Sequence, residues 1–278
     1  MKYNTRNTQH QIIRELGVLP TIDLAFEIQR RVQLLANYLE DSGSRAYVLG
    51  ISGGVDSTTT GKLCQMAVNQ LNEHAVTPDF YKFIAVRLPY GVQADEAEAQ
   101  QALAFIQPTG SMVVNIKAPT DEMMRQLLEN GIAKQDPVQF DFIKGNVKAR
   151  QRMIAQYAIA GAVKGLVVGT DHAAEALMGF FTKHGDGACD ITPLSGLNKG
   201  QVRQIAIELG APVALSMKIP TADLEDLKPG KPDEDAFGVT YAEIDAFLVG
   251  DLIPEEAADK IITQFYITAH KRKLPATN

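Results

Sequence analysis

The stretch Tyr47-Val48-Leu49-Gly50-Ile51-Ser52-Gly53-Gly54-Val55-Asp56-Ser57 decides the fold of this chain. Tyr47 through Ile51 form a short apolar run without alternation, as expected for a parallel strand covered on both faces. Residues 58–73 then read as a helix. Between them lies a turn whose glycines let the backbone approach an anion closely. Successive N–H groups at a helix start make an anion nest, and the helix dipole favours negative charge there. Ser52 and Ser57 add hydroxyl donors. A glycine turn with Ser57 as helix N-cap accounts for Ser57, but gives no reason for Ser52 and Asp56 together. A carboxylate beside bound phosphates repels them unless a cation lies between, so Asp56 reads as a Mg²⁺ ligand. Its structural alternative is a charge that favours the helix N-terminus.

Working outward, three further apolar runs stand apart from the helical patterns: Phe83-Ile84-Ala85-Val86, Met112-Val113-Val114-Asn115-Ile116 and Leu166-Val167-Val168-Gly169. Helical stretches at 93–106, 121–131 and 147–163 separate them. This alternation predicts an α/β fold, a Rossmann-like open parallel sheet flanked by helices in a single domain. Upstream of Ala46 everything reads as helical, with apolar side chains at Ile28, Val32, Leu35, Ala36 and Leu39 on one face. A tail helix is expected over 257–270, and neither an internal repeat nor a second core is apparent. The segment 218–235 contains Pro220, Pro229, Gly230 and Pro232 and reads as a mobile loop, either a solvated linker or a substrate-covering lid.

Other owners of a glycine-rich turn fit less well. A Walker A loop ending at Gly61-Lys62 needs glycine where Asp56 stands and Ser or Thr where Leu63 stands. The dinucleotide fingerprint fails on spacing. Gly50-Ile51-Ser52-Gly53-Gly54 satisfies the hydrolase nucleophile-elbow pattern, with His270 as a distant base. That fold takes part of its oxyanion hole from an upstream strand-helix loop, and the region before Ala46 offers none. The net charge of −6 argues against a general nucleic-acid binder. No apolar run is long enough to span a bilayer. Cys64 and Cys189 form no metal or redox spacing, so a cytoplasmic location is expected.

Ser-Gly-Gly-Xaa-Asp-Ser after the first strand resembles the signature of the ATP pyrophosphatases, which split ATP between its α and β phosphates. Further segments resemble one branch, the bacterial ammonia-dependent NAD synthetases. These are 83–95, with Arg87-Leu88-Pro89-Tyr90-Gly91-Val92-Gln93, and Val167 through Ala176. Gly179 through Gly187, Leu197-Asn198-Lys199, Pro220 through Asp226 and His270-Lys271-Arg272 belong with them. The resemblance covers essentially the whole chain. Val55 departs from it, standing where many relatives carry a polar residue.

The resemblance implies a reaction in which deamido-NAD, ATP and ammonia give NAD, AMP and pyrophosphate. It implies that Gly50, Ile51, Ser52, Gly53, Gly54, Val55, Asp56 and Ser57 hold the ATP phosphates, with Asp56 and Glu175 on Mg²⁺. Arg87, Gln93, Thr170 and Thr221 are implied ATP contacts, and Lys199 the group that neutralises developing phosphate charge. Arg150, Lys183, Asp190, His270 and Lys271 are implied to bind deamido-NAD, in a site shared between the subunits of a homodimer. Asp186 is the candidate for drawing in ammonium and removing its proton; a purely local role in the Gly-Asp-Gly turn is its alternative. Neither cysteine has the surroundings of a glutaminase nucleophile, so free ammonia is the expected donor. A tRNA-thiolating relative would carry a basic surface or paired cysteines. A non-catalytic nucleotide-binding module would not need two metal carboxylates.

Overall fold

The structure, a computed structural model, describes residues 5–92, 95–132, 136–222, 225–227 and 230–277. Strands β1 (Ala46–Gly50), β2 (Lys82–Arg87), β3 (Gly110–Val113) and β4 (Gly165–Val167) form one parallel sheet in the order β3-β2-β1-β4. The chain builds outward from β1 to β3 and then crosses to the other side of β1. The strand order therefore reverses between β1 and β4, the position at which open α/β sheets bind ligands beyond their carboxyl ends.

Because successive side chains alternate across a strand, β1 feeds two cores. Tyr47 and Leu49 pack with Phe83 and Ala85 on one face, under α2 (Leu24–Asp41), α3 (Val55–Asn72) and α8 (Lys199–Glu208). Ala46 and Val48 pack with Ile84 and Val86 on the other, against Ala160, Ile159 and Val163 of α6 (Pro137–Val163). The Tyr47 hydroxyl donates to the Leu35 carbonyl at 2.7 Å, so its polar end is satisfied inside the first core. The remaining helices are α1 (Thr5–Leu16), α4 (Glu96–Ile106), α5 (Lys117–Glu129), α7 (Ala173–Met178) and α9 (Val213–Ser216), then α10 (Asp233–Phe237), α11 (Tyr241–Val249), α12 (Glu255–Ile267) and α13 (Ala269–Arg272).

The α/β parallel-sheet prediction holds, with local corrections. Helix α3 begins at Val55, not near residue 58, which places Asp56 in its first turn. Helix α6 begins at Pro137, well before residue 147, because Asp136 accepts from the Val138 and Gln139 amides and Pro137 suits a first helical turn. Strand β3 is an edge strand with Met112 and Val113 exposed, so that apolar run is not covered on both faces. The tail helix is divided between α12 and α13.

A second apolar cluster also exists beyond the sheet, where Ile12, Leu177, Phe247, Ile261 and Phe265 join α1, α7, α11 and α12. It continues onto the sheet layer where α11 meets α8, so this cluster and both sheet cores belong to a single domain.

The described part of segment 218–235 is docked. Strands β5 (Thr221–Ala222) and β6 (Lys231–Pro232) pair antiparallel. Asp141 on α6 accepts from the Asp226 and Leu227 amides, both at 2.8 Å. Asp226 in turn pairs with Lys144 and Lys148, also on α6. Lys218 reaches Asp95 at 3.2 Å.

Candidate active site

The loop after β1 is shaped by Gly53. Its φ is +81°, and a Cβ there would lie 2.8 Å from the Ala99 amide nitrogen and 3.0 Å from the Glu98 carbonyl carbon. Both atoms are α4 backbone and cannot swing aside. Gly54, not Ser57, occupies the N-cap position of α3, and no side chain caps it. The first-turn amides of Val55, Asp56 and Ser57 thus have no partner within the helix, as an anion nest requires. Ser57 Oγ instead ties the loop together, 3.2 Å from Ser52 Oγ and 3.2 Å from the Gly54 carbonyl it donates to. Gln156 of α6 holds the end of β1 by accepting from the Gly50 amide at 2.8 Å.

Across the strand-order switch, residues after β4 bring charge to this nest. Lys199 Nζ donates to Asp56 Oδ2 at 2.7 Å, with the lysine side chain 2% exposed and the aspartate 19%. The lysine is held at both ends. Its own amide and that of Gly200 donate to Asp245 at 3.0 and 2.7 Å. Its ammonium sits 5.2 Å from the Tyr241 ring centroid, and Tyr241 donates to Asp233 at 3.0 Å.

Helix α7 begins with a reciprocal cap: His172 Nδ1 accepts from the Glu175 amide at 3.4 Å, and Glu175 Oε2 accepts from the His172 amide at 3.4 Å. That cap turns the Glu175 carboxylate toward Asp56. Ligand atoms of Asp56, His172 and Glu175 all lie within 4.8 Å of one another. Asp56 Oδ1 is buried without a hydrogen-bond partner. A buried carboxylate oxygen left open beside a second carboxylate fits a hard divalent cation.

The electrostatics follow from this crowding. Burial works against ionisation of Asp56, but the Lys199 charge, the nearby His172 and the hydrogen bond from Lys199 together outweigh it and hold the carboxyl below its ordinary range. Burial and then the Asp56 charge push Glu175 well above its ordinary value. Burial, then the Lys199 charge, lower His172 to about 3, so the ring is neutral. Asp171 is raised to about 7 by burial and by the nearby Asp186. Asp186 is raised by burial, against the hydrogen bond it accepts from the Thr182 amide at 2.9 Å.

A cleft of ≈ 480 Å³ opens over the nest, large enough for a nucleotide-sized ligand. Its walls include Gly50, Ile51, Ser52, Gly54, Val55, Asp56, Ser57, Thr170, Glu175, Asp186, Lys199, Thr221 and Lys271. Gly53 lies behind, against α4. Arg87, at the end of β2, is engaged by Glu96, and Gln93 lies outside the described residues. Arg150, Lys183 and His270 form a chain on the exposed surface: Arg150 donates to the Lys183 carbonyl at 3.2 Å and Lys183 to the His270 carbonyl at 2.6 Å. Asp190 accepts from the Val167 amide at 2.7 Å.

These observations can be set beside known proteins. Residues 27–275 match the family model described as NAD synthase. The chain belongs to the NAD synthase family. A Streptomyces coelicolor relative named NH(3)-dependent NAD(+) synthetase is 57% identical over 267 residues, 96% of each chain. A solved NAD+ synthetase from Burkholderia pseudomallei superposes with a TM-score of 0.84 at 47% identity, covering 99% of both chains. A solved NMN synthetase from Francisella tularensis gives a TM-score of 0.80 at 31% identity, covering 93% of this chain and 99% of that one.

Beside the family residues, the sequence reading assigned no role to His172, Gln156, Asp233 or Asp245. His172 carried a usable signal: a residue able to accept at a helix start with glutamate three positions on is the spacing of a reciprocal cap. Gln156, Asp233 and Asp245 act through distant partners that no local pattern reveals.

Proposed function

We propose that this member of the NAD synthase family is an ammonia-dependent NAD synthetase: ATP adenylates the nicotinate carboxylate of deamido-NAD, and ammonia then displaces AMP. The convergence of Asp56, Glu175 and Lys199 on an uncapped helix start, in a cleft of nucleotide size, carries this reading. A carboxylate is a poor electrophile for ammonia because an oxide would have to leave. Making the acyl-adenylate replaces that oxide by AMP and divides one difficult displacement into two easier ones.

The α3 amides, with Ser52 and Ser57, hold the phosphates of ATP in this scheme, and Thr170 and Thr221 border the nucleotide. Lys199, pre-positioned by Asp245, stabilises charge that develops on the phosphates as pyrophosphate departs. Mg²⁺, held by Asp56 and Glu175, would supply further charge neutralisation there. Asp186 draws in ammonium and takes its proton; loss of solvation in the cleft raises its basicity above that of an ordinary carboxylate. Arg87 and Gln93 serve the ATP side, which for Arg87 requires exchanging its Glu96 partner.

Arg150, Lys183, Asp190, His270 and Lys271 bind deamido-NAD. The exposure of Arg150 and His270 outside the cleft, with the half-buried Lys183 between them, supports a site completed by a second subunit. Helix α6 also exposes Val138 and Ile154 outside the cleft, apolar side chains that a homodimer contact could cover. Among the described residues no helix is long and apolar enough to cross a membrane. Cys64 and Cys189 are free thiols, which supports a cytoplasmic enzyme.

The test supplies ATP, Mg²⁺, ammonium and deamido-NAD to the folded protein and quantifies NAD, AMP and pyrophosphate. Equal yields of the three are expected. Turnover of nicotinate mononucleotide in preference to deamido-NAD would refute the dinucleotide assignment, and no AMP from either would refute the reaction.

A further inference from the structure

His172 is placed among the charged groups of the site, yet the reaction just described gives it nothing to do. Its side chain is 0% exposed. Nε2 lies 3.5 Å from Asp56 Oδ1 and 3.6 Å from Glu175 Oε2. It is also 3.4 Å from Lys199 Nζ. The ring's other nitrogen decides what Nε2 can offer. Nδ1 accepts from the Glu175 amide, so it carries no hydrogen, and a neutral ring must then bear its hydrogen on Nε2. The opposite tautomer would set an Nδ1–H against the Glu175 N–H and break the cap of α7.

Two donors therefore meet over Asp56. Lys199 takes Oδ2 at 2.7 Å, and the Nε2–H of His172 faces Oδ1, the oxygen that has no partner. In this tautomer Nε2 cannot accept from Lys199 Nζ, 3.4 Å away, and both groups are aimed at the same carboxylate. The same N–H also faces the Glu175 oxygen. At 3.5 and 3.6 Å neither contact is yet a hydrogen bond, and a few tenths of an ångström of closure would make one.

Resting on the cation site read above, we propose that His172 is a positioning residue of that site: its Nε2–H orients the Asp56 and Glu175 carboxylates toward the divalent cation without itself ligating the metal. The cap on α7 is what enforces this role, since ligation through Nε2 needs a lone pair that this tautomer does not have. One ring thus sets the start of the helix with one nitrogen and the aim of the two carboxylates with the other. Partners of this outer kind are worth about 10–100-fold in metal affinity.

The experiment uses Mn²⁺ as the probe, with α,β-methylene-ATP present, and follows free Mn²⁺ by electron paramagnetic resonance. Two variants separate the nitrogens. The His172→Asn amide reaches the Nδ1 position and keeps the cap, but leaves nothing at Nε2. The His172→Gln amide places an N–H near Nε2 and loses the cap.

For His172→Asn, the Mn²⁺ dissociation constant should rise by about 10–100-fold while Tm stays near that of the unsubstituted protein. His172→Gln should recover most of the affinity despite a lower Tm. The unsubstituted complex should show no directly bonded nitrogen in the modulation of the Mn²⁺ echo. Unchanged Mn²⁺ affinity in His172→Asn would overturn the proposal, as would a directly bonded ring nitrogen. Affinity that merely tracks Tm across both variants would overturn it too, by reducing His172 to a structural cap. If the unsubstituted protein bound no Mn²⁺, the cation site itself would fall, and this role with it.

Discussion

Replacing Lys199 by methionine removes the ammonium from beside Asp56 while keeping most of the side-chain volume. The pair is 2.7 Å apart and the lysine side chain is 2% exposed. At an effective dielectric constant of about 20, the gross attraction at that distance is about 6 kcal/mol. The net loss is smaller, because the lysine no longer has to be desolvated. Stranding the partner of a buried pair costs about 3–5 kcal/mol. A chain of 278 residues unfolds with an entropy of about 0.6 kcal/mol per kelvin, so Tm should fall by about 5–9 °C without metal.

The sign of the pH dependence is fixed by the same charges. The Lys199 charge holds Asp56 below its ordinary range, so the stability it lends is present above the unfolded pKa and fades as pH falls through the folded one. Without the lysine, Asp56 protonates more readily, so the deficit should be larger at pH 8 than at pH 5. Scanning calorimetry of the metal-free protein at both values measures it. In the same variant, adenylation should slow by about 10²–10³-fold, the effect of losing one charge-stabilising donor. A Tm within about 1 °C of the parent at pH 8, well below the loss expected for a stranded buried charge, would refute the reasoning about the pair. Undiminished adenylation would refute the role of Lys199 toward phosphate.

Gly53→Ala forces a Cβ to within 2.8 Å of the α4 backbone at a φ of +81°. The loop must shift, and kcat/KM for ATP should drop by about 10²-fold; steady-state pyrophosphate release checks this, and parental kinetics would sink it. Asp171, raised to about 7, favours its protonated form in the folded state. Its contribution is thus present below its ordinary range and is lost as pH rises through about 7, by up to about 4 kcal/mol. Urea titrations of Asp171→Asn should show a shallower decline between pH 5 and 8, whereas an unaltered slope would count against it. Asp141→Ala deletes two hydrogen bonds of 2.8 Å that dock residues 226 and 227. That loss, about 1–3 kcal/mol, should speed limited proteolysis within 218–235, and saturating substrates should slow it again. Cleavage rates equal to the parent's would show that the docking contacts do not hold the segment.

Much of this was legible from residues 47–57 alone, because each feature there is local. A strand without alternation, glycines at a helix start and a carboxylate in the first turn each act through neighbours a few residues away. What stayed hidden depends on chain folded back from afar. The run Met112 to Ile116 looks like a buried strand, yet Met112 and Val113 lie on the sheet's open edge, and position in a sheet leaves no mark on a short apolar run. Ser57 looks like an N-cap until Gly54 is found in that position. The second apolar cluster escaped because its contributors come from both ends of the chain, Ile12 and Phe265 among them. The segment 218–235 read as mobile from its prolines; the contacts that dock it come from Asp95, Asp141, Lys144 and Lys148, far away in sequence.

Helix α6 explains how these distant pieces are kept in register. Through Gln156 it holds the Gly50 amide, and through Arg152 it holds the Leu88 carbonyl at 3.1 Å, so it fixes the carboxyl ends of both central strands. Asn146 accepts from Thr182, whose amide in turn donates to Asp186. Asp141, Lys144 and Lys148 engage the segment over the cleft. At 27 residues the helix is about 40 Å long, enough to run from the phosphate nest to the covering segment without a break. Rigid helices transmit position better than loops. The cradle, the Gly-Asp-Gly turn and the docked segment therefore share one reference frame, although each is itself a loop. The helix also exposes Val138 and Ile154 outside the cleft, so a second copy packed against either would brace the same frame from outside. Dimerisation and the alignment of adenylation with ammonia attack would then depend on one element, and damage to the α6 surface far from the cleft should be felt in catalysis.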